Sequence, residues 1–424
     1  MALAHGAMGR DVPGYFFGVL LHRRGFVGAF IRGDVLAQSI GASRHSAFPS
    51  NEGPRMNGHW YGLYSGSNTG QIVIEIDDRG EYFDGSAYVY SPSGPGLFAY
   101  IKTIDKSDRA TLKAPLAPLD PRSGEITDWK GVVNQFPNNT IIPNEAEVDF
   151  EWDGQCLIVK WKTNIGTFGI AELPKSEVEN TSNCVPLPIT CWSEFKDYVT
   201  KLEHYRYIFR GQSTTKRLRT PFHRTGRGDM RRFFLEDVST LHRHLSARTR
   251  HWFDLTNPMQ NAAFLNLVQH HGYPTPLLDW TYSPFVAAFF AYQRVKRSEA
   301  AAAPEDRKVR IFIFDKFQWC SNIQQILSTT VRWPHFSILE PVAIGNERLI
   351  PQQALSSFTT VDDIETYILS KESDTKQFLQ VIDLPLKERD NVMRELGLMG
   401  ITAGSLFPGL DGACEELKER FFRL

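Results

Sequence analysis

The repeating pattern of the sequence changes between residues 175 and 192, and this change restricts the chain to two kinds of structure in succession. Residues 58–173 alternate apolar and polar positions in short runs separated by Gly, Asp and Pro, which is typical of hairpins in an antiparallel sheet. After residue 192, segments with helical spacing are interleaved with apolar runs such as VRIFIFD at 309–315. The sequence therefore predicts two domains, the first all-β and the second α+β.

The first domain is predicted to be an antiparallel β-barrel or β-sandwich over residues 56–175. Strands are expected at 71–76, 85–90, 97–104, 147–152, 156–161 and 166–173. The turn EWDGQ at 151–155 joins two of them as a hairpin. The start of this domain, Gly58 to Trp60 followed by a Gly-rich hairpin, resembles that of lipocalin- and avidin-like barrels, and the resemblance implies that Trp60 closes one end.

Two segments flank the first domain. Residues 1–55 are rich in Gly, Ala and Arg and contain no Lys, so we expect a poorly ordered leader or a misassigned start with Met56 as the natural first residue. Residues 176–191 contain turn formers and prolines without a helical stripe, which predicts a linker. The second domain then covers residues 192–424.

Composition and charge exclude several classes of protein. The chain has 424 residues, of which 42% are hydrophobic, and its formal net charge is −1, which argues against a whole-protein polyanion binder. The five cysteines are scattered and lack zinc or paired spacing, so we expect no disulfide framework, no structural metal and a cytoplasmic location. No apolar run approaches the roughly 20 residues of a membrane span, so we expect no membrane association.

The segment YIFRGQ at 207–212 places Arg210 at the end of an apolar strand, with Gly211 freeing the backbone behind it. A guanidinium at such a position can bind two phosphate oxygens in one plane. The alternative is structural: Arg210 forms a buried pair with a carboxylate, for instance that of Asp279.

The segment QHHGYPTPLLDWTYSPFVAAFFA at 269–291 brings His270, Asp279 and Thr281 to one strand–helix junction. A helix N-terminus at such a junction favours an anion. Structural roles compete here as well, because Ser283 before a proline is a good helix N-cap and Trp280 is a good core residue. A histidine at the end of a helix is also more often structural than catalytic.

The segment at 340–361 contains Glu347, Arg348, Gln352 and Gln353 after a predicted strand. Carboxylates and carboxamides bind sugar hydroxyls, so Glu347 and Gln352 are candidate ligands of a ribose. The alternative is a polar surface loop.

The stretch 216–250 holds ten Lys or Arg against three Asp or Glu. Such a stretch can follow a nucleic-acid backbone, but a solvated helix face has the same composition. A nuclease is disfavoured because no acidic cluster has metal-binding spacing.

Three motifs in order resemble the FRG-domain family: FRGQ (209–212), the 269–291 segment and GSLFPGLDG (404–412). The resemblance covers residues 192–424 and implies a bacterial protein. Pro276 stands where the family usually has Arg before Leu-Leu-Asp-Trp-Thr, and Gln352-Gln353 is followed by Ala354 where the family often has Gly.

A more distant resemblance is to ADP-ribosyltransferases, which carry an Arg or His strand, a Ser/Thr/Tyr strand leading into an Ala/Phe-rich helix, and a late Glu or Gln. This resemblance implies NAD as the substrate, with contacts distributed over Arg210, Gly211, Asp279, Trp280, Thr281 and Ser283. It also implies Arg210 on the phosphates or ribose, and Trp280 or Tyr282 stacked on nicotinamide. The catalytic candidates are Arg210, His270, and Glu347 or Gln352 at the ribose 2′-hydroxyl.

From these resemblances we expect a bacterial effector, namely an NAD-using ADP-ribosyltransferase-like toxin or anti-phage defence protein. The β domain is expected to act as a sensor or regulatory domain. The alternative is a non-enzymatic module that binds protein or, through residues 216–250, nucleic acid.

Overall fold

The structure, a computed structural model, describes residues 56–92, 94–137, 140–176, 178 and 181–422. These residues belong to one compact unit, Glu52–Leu424. The expectation for residues 1–55 lies outside the described residues.

The first part of the described chain is a closed antiparallel barrel of strands β1 to β8, in which each strand pairs with the next and β8 pairs with β1. The predicted barrel is confirmed, and the sandwich alternative is wrong. The strands are β1 Gly58–Gly66, β2 Gly70–Asp78, β3 Phe83–Tyr90, β4 Gly96–Lys102, β5 Arg109–Leu119, β6 Glu145–Trp152, β7 Cys156–Thr163 and β8 Phe168–Pro174.

Strands β1 and β5 were not among the predicted strands. In β5, Pro115 and Pro118 interrupt an alternating run, and proline cannot donate to a strand ladder. The strand accommodates them by changing partner. It pairs with β6 as far as Pro115 and with β4 from Leu116 onward. The prolines therefore lie at and after the change of partner instead of in one continuous ladder.

The barrel interior is apolar, as the alternation of β2 shows. Ile72, Ile74 and Ile76 lie in the barrel core, whereas Glu75 and Asp77 face outward and yet are 0% exposed. Trp60 is also in this core, where its Nε1 donates to the Met56 carbonyl at 2.9 Å. The two outward carboxylates are buried because the C-terminal half, residues 181–422, covers this side of the barrel.

The C-terminal half is built on a mixed-order sheet whose pairings are all antiparallel among the described residues. The strand order is β12-β13-β10-β9-β11-β14, which confirms the predicted α+β character. The strands are β9 Tyr207–Gln212, β10 Leu277–Thr281, β11 Lys308–Asp315, β12 Phe336–Leu339, β13 Ala354–Thr359 and β14 Leu379–Pro385.

Helices connect and cover these strands. They are α1 Trp129–Val132, α2 Trp192–Val199, α3 Pro221–Arg224, α4 Met230–Arg232, α5 Ser239–Leu245, α6 Pro258–His270, α7 Pro284–Tyr292, α8 Arg297–Ala301, α9 Lys316–Asn322, α10 Ile364–Leu369, α11 Arg389–Leu398, α12 Ala403–Leu406 and α13 Leu410–Phe422. A π-helical turn at Phe233–Val238 and 3-10 turns at Val133–Gln135 and Leu386–Glu388 complete the set. The N-cap residue of helix α2 is Cys191.

The segment expected to be a linker is packed against the C-terminal half over its described residues 181–191. The Leu187 amide donates to the Val381 carbonyl at 2.9 Å, and the Ser182 hydroxyl donates to the Glu365 carboxylate at 2.5 Å. Residues 181–191 are therefore part of the C-terminal half, and the prediction of a linker is wrong for them.

In the described part of the chain, no helix has the length and apolar character to cross a membrane. All five cysteines are free thiols, in agreement with the absence of a predicted disulfide framework.

Candidate functional site

The central sheet of the C-terminal half opens between β9 and β10. The two strands share a single register pair, Thr281 with Phe209, and beyond it they part. Arg210 spans the opening, because its Nη1 donates to the backbone carbonyl of Asp279 at 2.6 Å. A guanidinium thus occupies the place where ladder hydrogen bonds would otherwise continue.

Helix α7 packs closely behind this opening, and two residues of the motifs serve that packing. A Cβ on Gly211 would lie 1.9 Å from the Ala287 carbonyl oxygen, so only glycine allows helix and strand to approach this closely. Ser283 caps the helix by accepting from the Val286 amide at 3.2 Å. Ser283 is therefore a helix N-cap, which is the structural role that the sequence analysis considered for it.

The opening leads into a cavity of about 750 Å³, a size usual for small-molecule sites. Strands β9 and β10, helices α3, α6 and α7, and the segments before β13 and after α12 all contribute to its wall. The lining includes Arg210, Gly211, Gln212, Arg224, Asn266, Gln269, His270, Asp279, Trp280, Thr281, Phe290, Arg294, Arg348, Gln352 and Phe407.

The wall of the cavity is strongly cationic. Among the described lining residues, seven are Lys or Arg and Asp279 is the one acid. Two of these cations have carboxylate partners behind the wall, since Arg217 pairs with Asp363 and Arg219 with Asp362, each at 2.6 Å. Arg210, Lys216, Arg294 and Arg348 add further positive charge to the wall, which favours an anionic ligand.

Arg210 itself lies in an unfavourable environment for a cation. Burial, followed by repulsion from Arg224, lowers the pKa of its guanidinium to about 10, so it stays charged at neutral pH. Its Nε is buried without a hydrogen-bond partner among the described residues, and so is Oε1 of Gln212 on the same strand. Both groups therefore lack the hydrogen bonds that they would have in water, which is unusual for buried polar atoms.

The carboxylate of Asp279 does not pair with Arg210. It accepts from Gln269 Nε2 at 2.6 Å and from Ser356 Oγ at 3.5 Å. Asp279 is exposed although it lies in an inner strand, because the cavity is open on that side. The buried Arg–Asp pair considered from sequence is therefore not formed.

Of the two candidates for the late Glu or Gln, the structure brings only Gln352 to the cavity. Its side-chain Nε2 donates to the Leu406 carbonyl at 2.9 Å, and its backbone carbonyl accepts from Thr281 Oγ1 at 2.7 Å. The next residue, Gln353, has a φ of 46°, a left-handed conformation that turns the chain into β13. Glu347 is exposed and is not part of the lining.

The side chains of His270 and Trp280 differ in whether they face the cavity. His270 lies in its wall, and burial together with the charge of Arg348 lowers its pKa to about 4, so the imidazole is neutral at pH 7. The Trp280 indole is 2% exposed and donates to Ser357 Oγ at 3.0 Å. The indole therefore belongs to the core, which is the structural role that the sequence analysis considered for Trp280.

Several cavity residues were not identified from sequence, namely Arg224, Gln269, Arg294 and Phe407. The signal for Phe407 was its place in the 404–412 motif. The guanidinium of Arg348 lies 5.0 Å from the centre of the Phe407 ring. No sequence spacing indicated Arg224 or Arg294, since Arg224 ends α3 and Arg294 lies in the turn after α7. Among the described residues, no group of three or more His, Cys, Asp or Glu is arranged to hold a metal ion.

Comparison with known proteins gives one family match. No curated protein matches the chain. A solved structure of a redesigned β-barrel is 15% identical, covers 28% of this chain and 91% of its own, and has a TM-score of 0.20, a likeness too low to support an argument. The family model described as the FRG domain matches residues 205–300. These residues carry Arg210, Asp279 and α7, so the segment that forms much of the cavity is the part of the chain that matches the FRG domain family.

Proposed function

We propose that the cavity binds NAD and that the chain is an ADP-ribosyltransferase-like enzyme that breaks the bond between nicotinamide and ribose. The observation that carries the proposal is Arg210, held across the open sheet at the edge of a cationic cavity that contains a carboxylate. The three motif strands that the resemblance requires, β9, β10 and β13, are neighbours in the sheet, which supports the proposal.

The diphosphate of the dinucleotide is the natural ligand for the cationic wall. The charges of Arg224 and Arg294 repel that of Arg210, and this repulsion contributes to the lowered pKa of Arg210. A diphosphate relieves the repulsion and accepts charge-assisted hydrogen bonds from the guanidinium groups.

The ribose and nicotinamide need a different environment, which other residues of the lining offer. The Asp279 carboxylate and the Gln352 carboxamide are acceptors for ribose hydroxyls, and the ring of Phe407 gives apolar surface beside them. When the C1′–N1 bond breaks, its electron pair leaves with nicotinamide and positive charge develops on the ribose. An anion fixed near that charge lowers the barrier, and we assign this role to Asp279.

The charge on the ribose is then quenched by a nucleophile, either water or a group on a macromolecular acceptor, which loses its proton. His270 lies in the wall, but a pKa of about 4 makes it a weak base at neutral pH. We therefore assign His270 to hydrogen bonding with the ligand. An effector that consumes NAD or modifies a macromolecule, as a toxin or in anti-phage defence, belongs to the same proposal and depends on this turnover.

The alternative, nucleic-acid binding through residues 216–250, receives less support from the geometry. Arg217 and Arg219 are neutralised by Asp363 and Asp362. Arg227 and Arg232 pair with the buried Asp77 of the barrel. These side chains are thus not arranged on one accessible basic face.

Nicotinamide release from NAD by the full chain tests the proposal, beside Arg210→Ala, Gln352→Ala and Glu347→Gln. Arg243→Ala, on the exposed helix α5, is the matched control for removal of an arginine. We expect release by the wild type, by Arg243→Ala and by Glu347→Gln, and its loss in the other two. Stabilisation by NAD in a thermal melt is the first screen. No stabilisation and no release, together with tight salt-dependent binding of RNA or DNA, would favour the alternative.

A further inference from the structure

The barrel and the C-terminal half meet at a buried polar contact. This junction joins the outer face of β2 to residues 226–232, the segment that follows α3. On the barrel side it contains Glu75 and Asp77, both 0% exposed. Carboxylates buried to this degree are costly unless hydrogen-bonded and paired, so their partners define what the junction does.

Asp77 has an unusually complete set of partners. One oxygen accepts from the backbone amides of Gly228 at 2.8 Å and Asp229 at 3.1 Å. The other pairs with Arg227 at 3.1 Å and Arg232 at 2.5 Å. A single barrel carboxylate therefore fixes both the backbone and two side chains of the opposing segment.

Glu75 and a glycine complete the contact. The Glu75 carboxylate accepts from the Met230 amide at 3.2 Å, and the Arg332 guanidinium lies 3.9 Å away. A Cβ on Gly228 would lie 2.1 Å from the Gly58 carbonyl oxygen of β1. The segment 226–232 is thus shaped to fit the barrel surface closely.

The same stretch of chain forms part of the cavity wall a few residues earlier. Arg217, Arg219 and Arg224 line the cavity, and α3, which ends at Arg224, leads directly into the segment held by Asp77. The barrel also contacts α3 itself, since the ring of His59 lies edge-on to that of His223 at 6.1 Å. Movement of the barrel would therefore be transmitted to the cationic wall.

We propose that Asp77 and Glu75 are positioning residues for the cavity: docking of the barrel holds residues 226–230 and thereby fixes the wall that Arg224 belongs to. The barrel is then an integral part of the anion site, and its release loosens that site. The effect on NAD turnover rests on the proposed function. The effect on the order of the wall and on affinity for a simple anion does not.

The test uses the full chain with Asp77→Asn, which keeps the shape of the side chain and removes its charge. Hydrogen exchange is measured at residues 217–224, and binding of inorganic pyrophosphate is measured by calorimetry. We expect faster exchange at 217–224 and pyrophosphate affinity reduced about tenfold, within the range usual for coupled sites. The matched control is Asp237→Asn, which also removes a carboxylate partner of Arg227 but does not belong to the barrel, and it should change neither.

Gly228→Ala perturbs the junction from the C-terminal side, so it decides the question if Asp77→Asn fails to fold. It should reproduce both effects while strands β5 to β8 stay protected. The proposal is overturned if faster exchange stops at residues 226–230 and pyrophosphate affinity is unchanged. If the wild type itself does not bind pyrophosphate, the proposed function fails, and exchange at 217–224 still decides whether the barrel orders the wall.

Discussion

Replacing Arg210 by methionine separates a functional role of this residue from a structural one. The substitution removes the guanidinium and keeps an unbranched side chain that replaces the methylene stem of the arginine. The account of the cavity predicts that affinity for a diphosphate falls sharply while the fold is nearly as stable as before.

The expected change in stability follows from two opposing contributions. The substitution loses the charge-assisted hydrogen bond from Nη1 to the Asp279 carbonyl, 2.6 Å long, which contributes about 1.5–3 kcal/mol. It also removes a cation whose pKa burial lowers from 12.5 to about 10, and at 1.36 kcal/mol per pKa unit, holding that charge costs about 3 kcal/mol. The two contributions nearly cancel, so the free energy of unfolding should change by less than about 2 kcal/mol.

The effect on binding has no such compensation. Truncating one partner of a close, desolvated charge pair costs about 2–5 kcal/mol, which corresponds to a dissociation constant for ADP-ribose raised at least about 30-fold. Urea unfolding gives the first quantity and calorimetry the second, with Arg243→Met as the control. A loss of stability above about 4 kcal/mol with unchanged affinity would refute the reasoning and make Arg210 a structural residue.

Three further predictions concern the strand, the junction and the carboxylate. Gly211→Ala should destabilise the chain by about 1–3 kcal/mol, because the added Cβ would meet the Ala287 carbonyl at 1.9 Å; an unchanged urea midpoint would contradict this. Burial raises the pKa of Glu75 to about 8, amid Asp77, Asp229, Arg332 and Tyr88, so stability should fall as pH rises from about 4.5 to 8. Burial lowers the pKa of His59 to about 4 and of His223 to about 3, so these two groups oppose Glu75 by costing stability as pH falls below about 6.5. Glu75→Gln should therefore reduce the loss of stability between about pH 6.5 and 8 in urea titrations, where the two histidines contribute little. Asp279→Asn should abolish nicotinamide release and leave ADP-ribose affinity within about threefold, whereas equal loss of both would assign Asp279 to binding alone.

The architecture of both halves could be predicted from local patterns, because hairpin turns and apolar periodicity act over short distances. The exceptions have local causes too. Strand β5 was missed since its prolines fall where the strand changes partner. The helical segment after α4 is divided into a π-helical turn at Phe233–Val238 and α5, a division that apolar periodicity does not indicate.

The junction could not be predicted, because its partners are far apart in sequence. Glu75 and Asp77 occupy alternate positions of a strand, a pattern that normally indicates a solvated face, yet the C-terminal half covers them. In the same way, Arg227 and Arg232 were interpreted as part of a basic stretch, although Asp77 lies 150 residues from Arg227. A charge count along the sequence carries no information on such pairing.

The candidate site could be predicted only in part, again because some of its residues are far apart in sequence. Arg210, His270, Asp279 and Thr281 belong to motifs and do line one cavity. The choice between Glu347 and Gln352 depended on the three-dimensional path of the loop before β13, where the left-handed Gln353 directs the chain. Sequence spacing could not specify that turn.

A crystal structure of the full chain with ADP-ribose would show whether the cavity between β9 and β10 holds the dinucleotide. The account predicts the diphosphate in the cavity between β9 and β10, within hydrogen-bonding distance of Arg210, roughly 3 Å. A ligand bound elsewhere, or an empty cavity at a saturating concentration of ADP-ribose, would contradict the claim.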